Sequence, residues 1–172
     1  MKSFKLIKLN EQHKEKYLEY VKDWKDEKMS PFTSRMFGLP FETYLELLEK
    51  QENIETVKIG YMPSSTFVFV DEEEEIYGVV NIRHQLNELL TNIGGHIGYG
   101  IKPSKRRLGY AKIMLNLALL EAKNRGIDKA LLICNKDNLP SKKTIERCGG
   151  LFENEFIEEN KNVVLRYWIE VK

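Results

Sequence analysis

The chain has 172 residues, 42% of them hydrophobic and 31% charged, with a formal net charge of +1. That length suits one domain over residues 1–172 with a single core, and a charge so close to neutral excludes general attraction to nucleic acid or to anionic membranes. Two cysteines, Cys134 and Cys148, are too few for a disulfide scaffold, so reduced thiols and a cytoplasmic setting are expected. Met1-Lys2-Ser3-Phe4-Lys5 does not read as a signal peptide. No apolar run reaches the roughly 18 residues of a membrane helix.

Phe4 to Leu9 reads as a short first strand. Asn10 suits the cap of a helix that carries Tyr17, Leu18, Val21 and Trp24 at helical spacing. Lys25 to Leu39 mixes Ser30-Pro31 and Gly38 with Phe32 and Phe37, which predicts an irregular loop. Pro40 opens a second helix, with Phe41, Tyr44, Leu45 and Leu48 on its apolar side. Two strand-like runs, Thr66 to Val70 and Ile76 to Ile82, flank Asp71-Glu72-Glu73-Glu74-Glu75. That acidic run reads as a solvated hairpin turn, with an acidic clamp for a cationic substrate as the other reading.

A polar loop from Gln85 to Asn92 leads to a strand from about His96 to Ile101. Ala111 to Ala122, closed by Gly126, is the longest apolar stretch and predicts a helix buried against a sheet. Ala130 to Cys134 is a fully apolar strand of the kind covered on both faces. A turn at Asp137-Asn138, a short helix near Ser141 to Arg147 and a stop at Gly149-Gly150 follow. The last strand, Val163 to Val171, either closes the sheet or pairs across a homodimer. The order β-α-α-β-β-β-α-β-α-β predicts an α/β (α+β) fold, a central mixed sheet flanked by helices.

The informative unit is strand, basic turn, glycine, helix: Lys105-Arg106-Arg107-Leu108-Gly109-Tyr110-Ala111. Amides in the first turn of a helix have no internal partners, and the helix dipole adds partial positive charge there. Such a turn suits a phosphate. Gly109 keeps a side chain out of the way, and three basic residues add charge beside the same point. The Walker pattern is absent, and Gly94, Gly95, Gly98 and Gly100 do not lie at a strand-to-helix turn, which excludes the dinucleotide fingerprint. Exposed charges at an ordinary helix start are the plainer reading of Arg106 and Arg107.

Arg106-x-x-Gly109-x-Ala111 after a strand ending Ile101-x-Pro103 resembles the acetyl-CoA signature of the GNAT superfamily of N-acetyltransferases. The resemblance extends over Thr66 to Phe152 and includes Asn138 in a turn, Ser141 on a helix, Gly149-Gly150 and Phe152. Ile82-Arg83-His84 and Gly94-Gly95-His96-Ile97-Gly98-Tyr99 look like a bacterial group of such proteins with unassigned substrate.

The resemblance implies acetyl-CoA as co-substrate, no metal, and a primary amine on a small molecule or peptide as acceptor. Backbone amides from Arg106, Arg107, Leu108, Gly109, Tyr110 and Ala111 would hold the pyrophosphate. Pantetheine would pair with the backbone at Tyr99, Gly100 and Ile101, in a gap between two splayed strands. Asn138 and Ser141 would touch the cofactor arm from the other side, although Asn138 also serves a turn.

An amine with a pKa of about 10.4 must lose a proton before it attacks. His96 and His84 are the base candidates, on facing ends of two strands, with water as their rival. Many family members place a tyrosine acid seven residues after the turn asparagine, where this chain has Ile145. Tyr110, Tyr99 and Cys148 are substitutes to weigh. That departure also motivates a non-catalytic acyl-CoA-binding sensor or interaction module as the alternative. The acceptor pocket is expected between Lys25 to Leu39 and Gln85 to Asn92, with Trp24, Phe32 and Phe37 as lining aromatics.

Overall fold

The computed structural model describes residues 2–172. In chain order these form β1 (Lys5–Ile7), α1 (Lys14–Asp23), α2 (Phe41–Lys50), β2 (Ser64–Val70), β3 (Ile76–Arg83), β4 (Ile97–Ile101), α3 (Tyr110–Asn124), β5 (Lys129–Asn135), α4 (Leu139–Arg147), β6 (Leu151–Ile157) and β7 (Val163–Glu170). The predicted order is therefore present, with one strand added.

Asn10 acts as predicted. Its side chain accepts from the amide of Gln12 at 2.9 Å, while its own amide donates to Nδ1 of His13 at 3.1 Å. That reciprocal pair starts a 3-10 turn that runs into α1.

The strands form two sheets, β1-β2-β3-β4 and β5-β7-β6, every ladder antiparallel. Every residue of β2, and all of β3 but Arg83, is buried, because helices cover both faces. The alternation of side chains then sorts the apolar residues into two layers rather than the single core expected. Phe67, Phe69, Val80 and Ile82 meet α3, along with Ala130, Leu132 and Tyr167 of the second sheet. Val68, Val70, Ile76 and Val79 meet Tyr17, Tyr20 and Trp24 from α1 and Phe41 and Tyr44 from α2. On α3 the buried residues are Met114, Leu115, Ala118, Leu119 and Ala122, one stripe at helical spacing. Ile113 and Leu120, which made the segment look apolar all round, are exposed.

Two local readings change. Glu72, Glu73 and Glu74 follow the expected solvated turn, but Asp71 is buried. Its carboxylate accepts from the amides of Glu73 and Glu75, from Tyr77 Oη and from Lys2 Nζ, so it organises the turn from inside. The added strand, β6, is Leu-Phe-Glu-Asn-Glu-Phe-Ile, and six of its seven residues are exposed. It is a strand because β7 offers it a hydrogen-bonding edge, a property of the partner that its own sequence does not display. β7 itself lies between β5 and β6, so both of its edges are taken within the chain. Among the described residues no helix is long and apolar enough to cross a membrane.

Candidate functional site

The junction of the two sheets makes the site. No ladder joins β4 to β5. Their starts are held together by two hydrogen bonds: the His96 amide donates to the Leu131 carbonyl at 2.7 Å, and the Leu131 amide donates to His96 Nδ1 at 2.9 Å. Past that point pairing stops. A cleft of about 500 Å³ is lined there by Tyr99, Gly100 and Ile101 from β4, Asn138, Pro140 and Ser141 at the start of α4, and the turn before α3.

The edge of β4 that faces this cleft follows from the alternation of an antiparallel ladder. The amide of Lys102 donates to Tyr77, and the carbonyl of His96 accepts from Arg83, so even-numbered residues face β3. The backbone groups of Tyr99 and Ile101 therefore point the other way. Their carbonyls are reached by Ser30 Oγ at 3.3 Å and by Arg106 Nε at 3.0 Å. Their amides remain for a ligand.

The basic turn presents a second row of donors. Among the described residues nothing accepts a hydrogen bond from the amides of Arg107, Leu108, Gly109, Tyr110 or Ala111. Arg107 at φ 63° and Gly109 at φ 85° both adopt the left-handed conformation, which turns successive N–H groups toward one side as an anion nest. A side chain on Gly109 would meet nothing within 4 Å. Its glycine is required for backbone angle, and the space before it is open.

The basic side chains divide. Arg106 lines the cleft but its head is already partnered: its Nη1 pairs with Glu27 at 2.7 Å, and its guanidinium lies 5.0 Å from the ring centre of Trp24. It ties the turn to α1 and the loop beyond. Lys105 pairs with Glu75 at 3.0 Å. Arg107 and Lys28 have no carboxylate partner among the described residues and are the cations left for an anionic ligand.

At the start of α4, Asn138 Oδ1 accepts from the Ser141 amide at 3.2 Å, the cap that its turn reading implies. Tyr99 reaches across from β4: its hydroxyl is 3.1 Å from Ser141 Oγ. Burial pushes the Tyr99 phenol up to about 12, against a smaller opposite effect of Ser141.

The base candidates stand apart from this cleft wall. His96 Nδ1 is an acceptor for the Leu131 amide, which places the ring proton on Nε2. Burial, with help from Arg83, lowers its pKa. His84 Nε2 is 2.8 Å from Ser65 Oγ, and burial followed by the charge of Arg125 lowers its pKa too. Both lie near the facing ends of β3 and β4, but the residue opposite His96 is Arg83, whose amide donates to the His96 carbonyl, so the two histidines are not paired with each other. Tyr110 touches the cleft, yet its ring packs edge-on against Tyr77 at 4.9 Å and against Phe4 at 5.2 Å. Ile145 is fully buried.

The loop after α1 contributes more than the sequence reading assigned to it. Ser30 and Lys28 line the cleft, and the Ser30 backbone lies directly on Gly100, where a β-carbon would collide with the Ser30 carbonyl. A glycine inside a strand was the available signal, since it marks close backbone approach. Trp24 is buried and lines the same cleft, whereas Phe32 and Phe37 are exposed and pack on each other at 4.8 Å.

Comparison with known proteins bears on the fold and the family. No curated protein matches the sequence significantly. Solved structures with similar folds include the spermidine/spermine N-acetyltransferase SpeG from Vibrio cholerae, at 20% identity and a TM-score of 0.66 over 97% of this chain and 93% of that one. Another is an acetyltransferase from Salmonella typhimurium that modifies the N-terminal serine of ribosomal protein L7/L12, at 18% identity and a TM-score of 0.67 over 99% and 96%. A third, RimL in complex with coenzyme A, is 18% identical with a TM-score of 0.69 over 98% and 94%. The model of the acetyltransferase (GNAT) family matches residues 13–150. With most of its length matched and with an amide-lined turn beside a gap between two strands, the chain belongs to the GNAT acetyltransferase family.

Proposed function

We propose that this enzyme, a single transferase domain, moves the acetyl group of acetyl-CoA directly to a primary amine. The observation that carries the reading is the pair of unpartnered amide rows on either side of one cleft. The row from Arg107 to Ala111 suits the pyrophosphate, reinforced by the dipole of α3 and by Arg107. The amides of Tyr99 and Ile101 suit the pantetheine arm and the thioester oxygen. A preplaced N–H stabilises the oxyanion as it forms, without reorganisation.

Proton removal from the amine is assigned to water. Each histidine uses one ring nitrogen in a structural hydrogen bond, and His96 would release the Leu131 amide if it took a proton at Nδ1. The acceptor enters on the face that carries the loop after α1. Arg83 lies on that face near Gly98, donates to the carbonyls of Gly94 and Gly95, and has no carboxylate partner among the described residues. An uncompensated cation there opposes a polyamine and suits an acceptor with one amine. A peptide N-terminus meets that condition.

Titration calorimetry tests the binding half: coenzyme A should bind the wild type, and Gly109→Asp should abolish the heat. Thiol release from acetyl-CoA tests transfer, with a serine-initiated peptide expected to outpace spermidine. Absence of coenzyme A binding would overturn the assignment, while the reverse acceptor order would overturn only the acceptor class.

A further inference from the structure

The missing proton donor on α4 has a replacement on the neighbouring strand. Thioester cleavage leaves negative charge on sulfur, and the family position that would meet it is Ile145. That side chain has no exposed surface, belongs to the core under α3, and is enclosed by Gly150.

Tyr110, Cys148 and Tyr99 are the substitutes to compare. The ring of Tyr110 is committed to the aromatic group with Phe4 and Tyr77. Cys148 Sγ is 3.8 Å from the Lys112 carbonyl and does not line the cleft. Tyr99 is different. It lines the cleft, and its side chain crosses the gap between the sheets to end at the first turn of α4, 3.1 Å from Ser141 Oγ. The hydroxyl thus arrives from β4 at the first turn of α4, the helix that carries Ile145.

We propose that Tyr99 is the general acid of the transfer, its phenol O–H donating to the coenzyme A sulfur as the thioester breaks, with Ser141 orienting the hydroxyl. This role rests on the acetyl transfer proposed above. The acceptor nitrogen bonds to the acetyl carbonyl carbon. The tetrahedral adduct collapses, the C–S bond breaks, and its electron pair stays on sulfur. The Tyr99 proton moves to that sulfur and gives the free thiol. The phenolate regains a proton from water by way of Ser141, and the proton lost by the amine passes to water. One amide and one thiol result. A phenol, with an ordinary pKa of about 10, is protonated through the neutral range, and burial only raises its pKa further, so the group is a donor whenever substrate binds, and its hydrogen bond stabilises charge on sulfur before the proton moves.

The test needs no knowledge of the acceptor. Coenzyme A and desulfo-coenzyme A are titrated calorimetrically into the wild type and Tyr99→Phe, from neutral pH to above the thiol pKa of about 8.5. A donor at the sulfur favours the thiolate, so wild-type affinity for coenzyme A relative to the desulfo compound should rise about tenfold across that range. In Tyr99→Phe, which keeps the ring and its packing, the rise should vanish. Ser141→Ala should reduce it. With acetyl-CoA and the serine peptide or spermidine, Tyr99→Phe should lower kcat about 100-fold with KM for acetyl-CoA nearly unchanged. The same pH profile in wild type and Tyr99→Phe overturns the role while leaving the transferase reading intact. A wild type that fails to bind coenzyme A overturns both.

Discussion

Gly109 and His96 show how single residues carry this site by quite different means. Gly109 holds φ at 85° with open space where a side chain would project, so Gly109→Ala adds strain without a clash. The expected cost is about 1 kcal/mol of stability, read from urea denaturation, together with weaker coenzyme A binding by calorimetry as the nest relaxes. His96 instead supplies an acceptor to the Leu131 amide at the closed end of the cleft. His96→Ala leaves that amide unpaired and should cost about 1–3 kcal/mol. Asn presents an oxygen close to the Nδ1 position, so His96→Asn should recover part of the loss.

A pH dependence follows from the burial of His96 and of His84. The folded pKa values of His96 and His84 are both lowered, first by burial. In the window below the unfolded value of about 6.5 the unfolded chain therefore binds more protons. Their contribution to stability is complete above that pH and declines as the pH falls through the window toward the folded values. Denaturation midpoints measured across this window should drop for the wild type and drop less for His96→Asn.

Among the elements, β4 is constrained on both sides: β3 pairs with it through its even-numbered residues, and the loop after α1 lies on Gly100. Gly100→Ala forces that loop away from the strand. A stability loss of about 1–3 kcal/mol is expected from overpacking, and the segment 25–39 should become more open to limited proteolysis than in the wild type. The loop is also tied to the phosphate turn by Arg106, through Glu27 and Trp24. Arg106→Ala should therefore loosen both the cofactor turn and the acceptor wall. The exposed ion pair is worth little alone, so most of the effect belongs to lost packing on Trp24.

At the scale of the whole molecule the two sheets meet through a pair of hydrogen bonds at one end and leave polar backbone open at the other. A ligand that satisfies both amide rows binds only the folded chain. Coenzyme A at about 100 times its Kd should therefore add about 2.7 kcal/mol. For a domain of this size that raises Tm by about 5–10 °C, a shift visible by thermal denaturation and absent in Gly109→Asp.

Much of this was present in the linear sequence. The apolar period of α3, the continuous apolar runs of β2, β3 and β5, the Asn10 cap and the Arg106 to Ala111 turn are local properties, fixed by neighbours a few residues apart. They specified the order of the elements and, by resemblance, the family, and the chemistry of helix starts pointed to the turn proposed for the pyrophosphate. Only the tertiary structure decided that β6 is a strand, that Asp71 is buried, that Arg106 faces Glu27 and that Tyr99 reaches Ser141. Each of those depends on a partner distant in the chain. Hydrogen-bonding edges, desolvation and side-chain reach across the gap between two sheets are set by packing, and no local pattern of residues encodes them.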